Sequence, residues 1–218
     1  MKTAVIILSI VALILVGISL YLLDANKKLA LKAGGLEEQR AAIAAELEAG
    51  IAALSQEKED EIARLKGTYD ELVASMQTEI EQGQVKITQL ADRLSVSVVD
   101  KILFPSGEAD ITSEGLEVLE RVGNILKNTQ NKVIRVEGHT DNVPIHPNLQ
   151  KKFPTNWELS TTRATNVVRF LQEKIGIEGR RLQAIGMSEY QPVASNQKEA
   201  GRSQNRRIEI TLMPEPAQ

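Results

Sequence analysis

The stretch from Gly138 to Phe170, GHTDNVPIHPNLQKKFPTNWELSTTRATNVVRF, holds the residue types best suited to gripping a charged ligand. Asp141 stands in a polar loop, and Arg163 follows on a segment with helical spacing. A carboxylate pairs with an ammonium group, while a planar guanidinium can grip a carboxylate through two parallel N–H donors. Together they would present opposite charges to a zwitterion. The residues alone leave plainer readings open: the two side chains pair with each other, or Arg163 is simply solvated, since surface ion pairs are common and weak. Ser160 or Asn156 could cap the helix, and with Ser160 as the cap Arg163 falls within the first turn, where the helix dipole disfavours a cation. Glu158 would offset part of that cost.

Other chemistries find little support. His139 and His146 are the only histidines, neither lies in an HExxH pattern, and no local carboxylate completes a triad, so no metal site is expected. The absence of cysteine removes disulfides, thiolate ligands and thiol nucleophiles. Ser106 and Ser160 lack a nucleophile-elbow context, and no phosphate-binding P-loop occurs. Neither an enzyme nor a cofactor is suggested. A net charge of −3 and only 3% aromatic residues argue against nucleic acid as a partner.

The elements that must hold Asp141 and Arg163 are legible from periodicity. Val96 to Phe104 alternates as a strand, and a helix capped by Thr112 or Ser113 follows, with Leu116, Leu119, Val122 and Leu126 on its apolar face. Lys132 to Glu137 is a second strand, ended by Gly138 and the polar His139 to Asn142. Pro144 and Pro147 keep the next loop extended until the helix carrying Leu159, Val167, Val168 and Leu171. Leu182 to Met187 and Arg207 to Met213 supply two further strands, with a short helix near Lys198 to Ser203 between them. The order βαβαβ(α)β predicts an α/β sandwich with a mixed sheet.

The run TDN, then NWELSTTRA, then Gly186-Met187 with Pro192-Val193 downstream, then GRSQNRRIEI, resembles the OmpA-like peptidoglycan-binding domain over Val96 to Met213. The long loop between Asp141 and Asn156 is more similar to MotB-type relatives. The resemblance implies a ligand, the diaminopimelate-containing stem peptide of peptidoglycan, with Asp141 and Arg163 holding its zwitterionic end. It also implies ligand-lining roles for Asn156 and for Arg206, although Arg206-Arg207 read alone is a solvated start to a strand. Loops after the first strand would border the same site.

Ahead of this domain, Ala4 to Leu23 is an apolar run of roughly 30 Å at about 1.5 Å per residue, enough to cross a bilayer as a single-pass helix. A cleaved signal peptide is the rival reading, since Lys2 precedes the run. No ionisable residue occurs between Thr3 and Leu23, so the intramembrane acid of MotB-type stators is missing. From Leu36 to Leu94 a proline-free, Ala-, Glu- and Leu-rich segment has apolar positions at about 3.6-residue intervals, predicting a helix that self-associates along its seam. The expected organisation is therefore an anchor over residues 1–24, a linker over 25–35, a helical stalk over 36–95, the α/β domain over 96–213 and a tail over 214–218. Such a chain would tether the inner membrane to the cell wall without catalysis, its domain in the periplasm. If the first segment is cleaved, it would instead associate with the outer membrane. The alternative is a stator-like or transport-associated subunit beside a multi-spanning membrane protein.

Overall fold

In the computed structural model, residues 2–90, 92–129 and 131–215 are described, the first eleven of them by backbone alone. The chain divides into two units, residues 1–58 and 59–218. The first unit consists of the amino-terminal part of helix α1, Lys2–Ser75. Helix formers outnumber the exceptions so heavily that α1 continues through Gly34 and Gly35, where the sequence suggests a linker. Each of those glycines costs only about 1 kcal/mol relative to alanine. The expected anchor over Ala4 to Leu23 lies partly outside the described side chains. Among the described residues no helix is long and apolar enough to cross a membrane. Leu13, Ile14, Leu15, Val16, Ile18, Leu20, Leu22 and Leu23 are all exposed.

The second unit begins with the carboxy-terminal turns of α1. Here the structure corrects the stalk. The helix expected to reach Leu94 stops at Ser75, and a short helix, α2 (Gln77–Glu81), is followed by a turn at Gly83, whose φ is +67°. Strands β1 (Val85–Leu90) and β2 (Arg93–Val99) then form an antiparallel hairpin. Val85, Ile87 and Thr88 are β-branched, and pairing with β2 outweighs the weak helical preference of their neighbours. The seam is corrected too. Leu65, Leu72 and Met76 are buried in the core of their own chain, so they offer no surface to a second copy. Leu47, Ile51 and Leu54, in the first unit, remain exposed.

The strand expected over Val96 to Phe104 gives way at Asp100 to a single helical turn, α3 (Asp100–Leu103). Helix α4 (Ser113–Lys127) is capped by Thr112, whose hydroxyl accepts from the Gly115 N–H at 3.0 Å. Strand β3 (Lys132–His139), helix α5 (Asn156–Phe170), strand β4 (Leu182–Ser188), helix α6 (Glu199–Asn205) and strand β5 (Arg207–Pro214) complete the unit. The sheet order is β1-β2-β5-β3-β4, with β3 and β4 parallel and the other neighbours antiparallel. A parallel pair requires a crossover, and α5 supplies it. Ile134, Val136, Ile208, Ile210 and Leu212 from the sheet share one core with Leu119, Val122, Val167 and Leu171 from the helices.

Two glycines decide how closely α5 approaches the sheet. Gly138 and Gly186 are partners across β3 and β4. A Cβ on Gly138 would meet the Ser160 carbonyl oxygen at 2.2 Å, and one on Gly186 would meet Thr161 Oγ1 at 2.1 Å. Bare backbone at this point lets the start of α5 lie directly over the end of β3, with Ser160 fully buried and its hydroxyl accepting from the Ser188 N–H at 3.2 Å.

Candidate functional site

Asp141 lies just beyond β3, where the backbone turns away from the sheet. Its Oδ1 accepts from the Val143 N–H at 2.9 Å, which fixes the start of the loop, and its Oδ2 accepts from Arg206 Nη1 at 2.5 Å. Asn156 opens α5 and is buried. Its amide donates to the Asp141 carbonyl (3.3 Å), the Val143 carbonyl (3.1 Å) and Glu189 Oε2 (3.0 Å). It therefore ties the loop carrying Asp141 to the helix carrying Arg163. The cap of α5 is neither Asn156 nor Ser160 but Thr155, which forms a reciprocal capping box with Glu158. Arg163 consequently lies about two turns into the helix, outside the first turn where the dipole would oppose it.

Arg163 is 3% exposed and firmly held. Its Nε donates to the Glu108 carbonyl at 2.8 Å, its Nη1 to Asp100 Oδ2 at 3.0 Å, and its guanidinium lies 4.9 Å from the Phe104 ring centre. Nη2 has no hydrogen-bond partner among the described residues. Arg206, at the end of α6, joins Asp141 to Glu199, donating to Glu199 Oε1 at 2.6 Å, and its side chain keeps 30% of its exposure. Its carbonyl accepts from the Asp100 N–H at 2.9 Å. All four residues singled out from the sequence thus lie together, and the plainer reading, a direct pair of Asp141 with Arg163, is not what forms. Asp141 pairs with Arg206, and Arg163 pairs with Asp100.

The electrostatics follow from this alternation of charge. Burial pushes the Asp100 carboxyl above its ordinary range, against the pull of Arg163 and Arg206. Burial likewise lowers Arg163, while Asp100 works to keep it charged. At Arg206 the burial cost is outweighed by its hydrogen bonds to Asp141 and Glu199, and its pKa is raised. The cluster is a four-charge arrangement, Asp100, Arg163, Asp141 and Arg206, spanning the ends of β2, β3 and α6 and the second turn of α5. Asp100, Glu108 and Glu189 carry no sequence signal of their own. Tertiary contact alone recruits them. Beside the cluster, the exposed rings of Trp157 and Tyr190 stack with centroids 5.5 Å apart.

Fold and site together define an α/β domain that carries a polar, charge-alternating cluster at one end of a mixed five-stranded sheet. Residues 103–206 match the OmpA family. The chain is similar to the cell wall anchor of the T6SS from Pseudomonas aeruginosa, at 34% identity and TM-score 0.60, over 66% of this chain and 97% of that one. The chain belongs to the OmpA family. It is also similar to a MotB-like protein from Desulfovibrio vulgaris, at 27% identity and TM-score 0.65, covering 73% of this chain and 97% of that structure. Motility protein B of Bacillus subtilis is 33% identical over 159 residues, 73% of this chain and 59% of its own length. The chain thus spans less than two thirds of the curated relatives it matches first.

Proposed function

We propose that the domain binds peptidoglycan without catalysis, holding the zwitterionic end of a diaminopimelate residue at Asp141 and Arg163. The observation that carries this reading is the convergence of one carboxylate and one guanidinium with unused capacity. An ionised carboxylate has about four acceptor positions, and Asp141 spends two of them, on Val143 and Arg206. The ligand ammonium takes a remaining one. Arg163 commits Nε and Nη1 to the protein and offers Nη2 to the ligand carboxylate. Asn156 and Arg206 position Asp141. The similarity to a cell wall anchor supports the cell wall as the source of the ligand.

In this reading the amino-terminal apolar segment is a single-pass anchor in the inner membrane, with the domain in the periplasm. The continuous exposure of Leu13 to Leu23 on α1 supports it. Leu47, Ile51 and Leu54 supply the seam for self-association. Similarity to Motility protein B favours a second reading, a subunit beside a multi-spanning membrane protein, although no acid lies between Thr3 and Leu23 to carry an ion. The ligand is tested with two muropeptides, one bearing diaminopimelate and one bearing lysine, which lacks the side-chain carboxylate. Tighter binding of the first is expected by calorimetry, and equal affinity overturns the assignment. Amino-terminal sequencing of the mature protein tests the anchor, which is refuted by a start beyond Leu23.

A further inference from the structure

On the sheet face away from Gly138's contact with α5, Glu137 and Glu209 stand directly opposite each other on β3 and β5. Like charges in that position destabilise a sheet. His139, two residues further along β3, shares their face. Its side chain is only 2% exposed, and neither Nδ1 nor Nε2 has a hydrogen-bond partner among the described residues. An unpartnered buried imidazole facing two carboxylates needs a physical account.

The geometry points to a site for a divalent first-row transition-metal ion, bound by Glu137, His139 and Glu209. His139 Nε2 lies 3.9 Å from Glu137 Oε2 and 3.7 Å from Glu209 Oε2. Both distances are too long for hydrogen bonds. They are close to ligand–ligand spacing: with metal bonds of about 2.0–2.2 Å, tetrahedral ligands lie roughly 3.3–3.6 Å apart. One donor atom from each residue falls within 4.8 Å of the others, so an ion needs only a small contraction to be held by three protein ligands. The two remaining carboxylate oxygens face arginines. Glu209 Oε1 accepts from Arg207 Nε at 3.3 Å, and Glu137 Oε1 is 3.7 Å from Arg135 Nη1. This leaves both Oε2 atoms turned toward the imidazole, the kind of outer support that orients metal ligands.

Glu137 and Glu209 face each other across β3 and β5, a like-charge contact that a cation relieves. Partial exposure of Glu137 and Glu209 leaves room for water to complete the coordination. One imidazole with two carboxylates suits Zn2+ or Mn2+ better than Ca2+ or Mg2+, which prefer oxygen alone. The sequence offers no sign of this site because Glu209 reaches it only through β5. A cation here would brace the end of β3, two residues before Asp141.

The test is Zn2+ titration of the full-length, chelator-stripped protein in detergent, followed by calorimetry. One ion per chain is expected, with a rise in melting temperature. Glu137→Gln and Glu209→Gln should each weaken binding at least tenfold, whereas His146→Asn, on the exposed loop, should leave it unchanged. Glu137→Gln keeps side-chain shape and removes the like-charge contact, so its metal-free melting temperature should equal or exceed the parent's, whereas Glu209→Gln also takes the carboxylate from buried Arg207 and its metal affinity is read against its own metal-free melting temperature. Zinc absorption-edge spectroscopy of the parent provides a readout free of any variant, and one imidazole among oxygen ligands is expected. Absence of saturable binding, unchanged affinity in Glu209→Gln, or two imidazoles on the ion would each overturn the proposal.

Discussion

Asp141→Asn separates ligand binding from structure most cleanly. The amide oxygen can keep the 2.9 Å bond from the Val143 N–H, so the loop retains its anchor. What is lost is the charged acceptor for Arg206, now faced by an amide NH2 group. Charge-assisted hydrogen bonds contribute about 1.5–3 kcal/mol. Arg206 is part-exposed and keeps Glu199 at 2.6 Å, so solvent screening should limit the net cost to about 1–2 kcal/mol. For a unit of this size the melting temperature should then fall by roughly 2–8 °C, leaving the domain folded at 25 °C. The ligand ammonium loses its charged acceptor, so binding should fall by about 1.5–3 kcal/mol, roughly ten- to a hundredfold. Sedimentation with purified sacculi and calorimetry with a diaminopimelate muropeptide both measure this, with matched circular dichroism as the folding control. Parent-like affinity in a folded variant would show that Asp141 serves Arg206 and not the ligand.

Three further outcomes are expected. Asp100→Ala should cost about 3–5 kcal/mol in denaturant unfolding, because Arg163 is left buried and unpaired. Asp100→Asn should cost visibly less, and equal effects would deny the ion pair its importance. Gly138→Ala drives a methyl group against the Ser160 backbone. It should destabilise by about 1–3 kcal/mol and weaken muropeptide binding by displacing α5, whereas a parent-like melting curve would refute the close-approach argument. Leu72→Gln should lower the stability of the second unit without changing the association state, while Ile51→Gln with Leu54→Gln should do the reverse. Analytical ultracentrifugation and thermal unfolding distinguish the two, and loss of association in Leu72→Gln alone would return that residue to an intermolecular seam.

The positions along this chain that were legible are those whose local pattern and tertiary role agree. Alternation at Lys132 to Glu137 and Arg207 to Met213 announced strands that remain strands, and Thr112 caps the helix it precedes. Asp141, Arg163, Asn156 and Arg206 were visible as polar residues in motifs, and they do converge. Periodicity failed at Leu65, Leu72 and Met76 because a stripe spaced for helix packing is the same whether its partner is another copy or the same chain's core. It failed again at Val85 to Leu90, where pairing with β2 and the left-handed turn at Gly83 outweigh modest helical propensity. The partners of the charged residues lay beyond any local signal. Asp100 meets Arg163 only after the chain has built α4 and β3 and returned along α5, and Glu209 faces Glu137 only when β5 inserts between β2 and β3. Residue type fixes the charge each side chain can carry, and short-range spacing fixes which face of its element it occupies. Which opposite charge it finds depends on sheet order and on the Gly138–Gly186 gap that seats α5, both of which arise from contacts between residues distant in sequence.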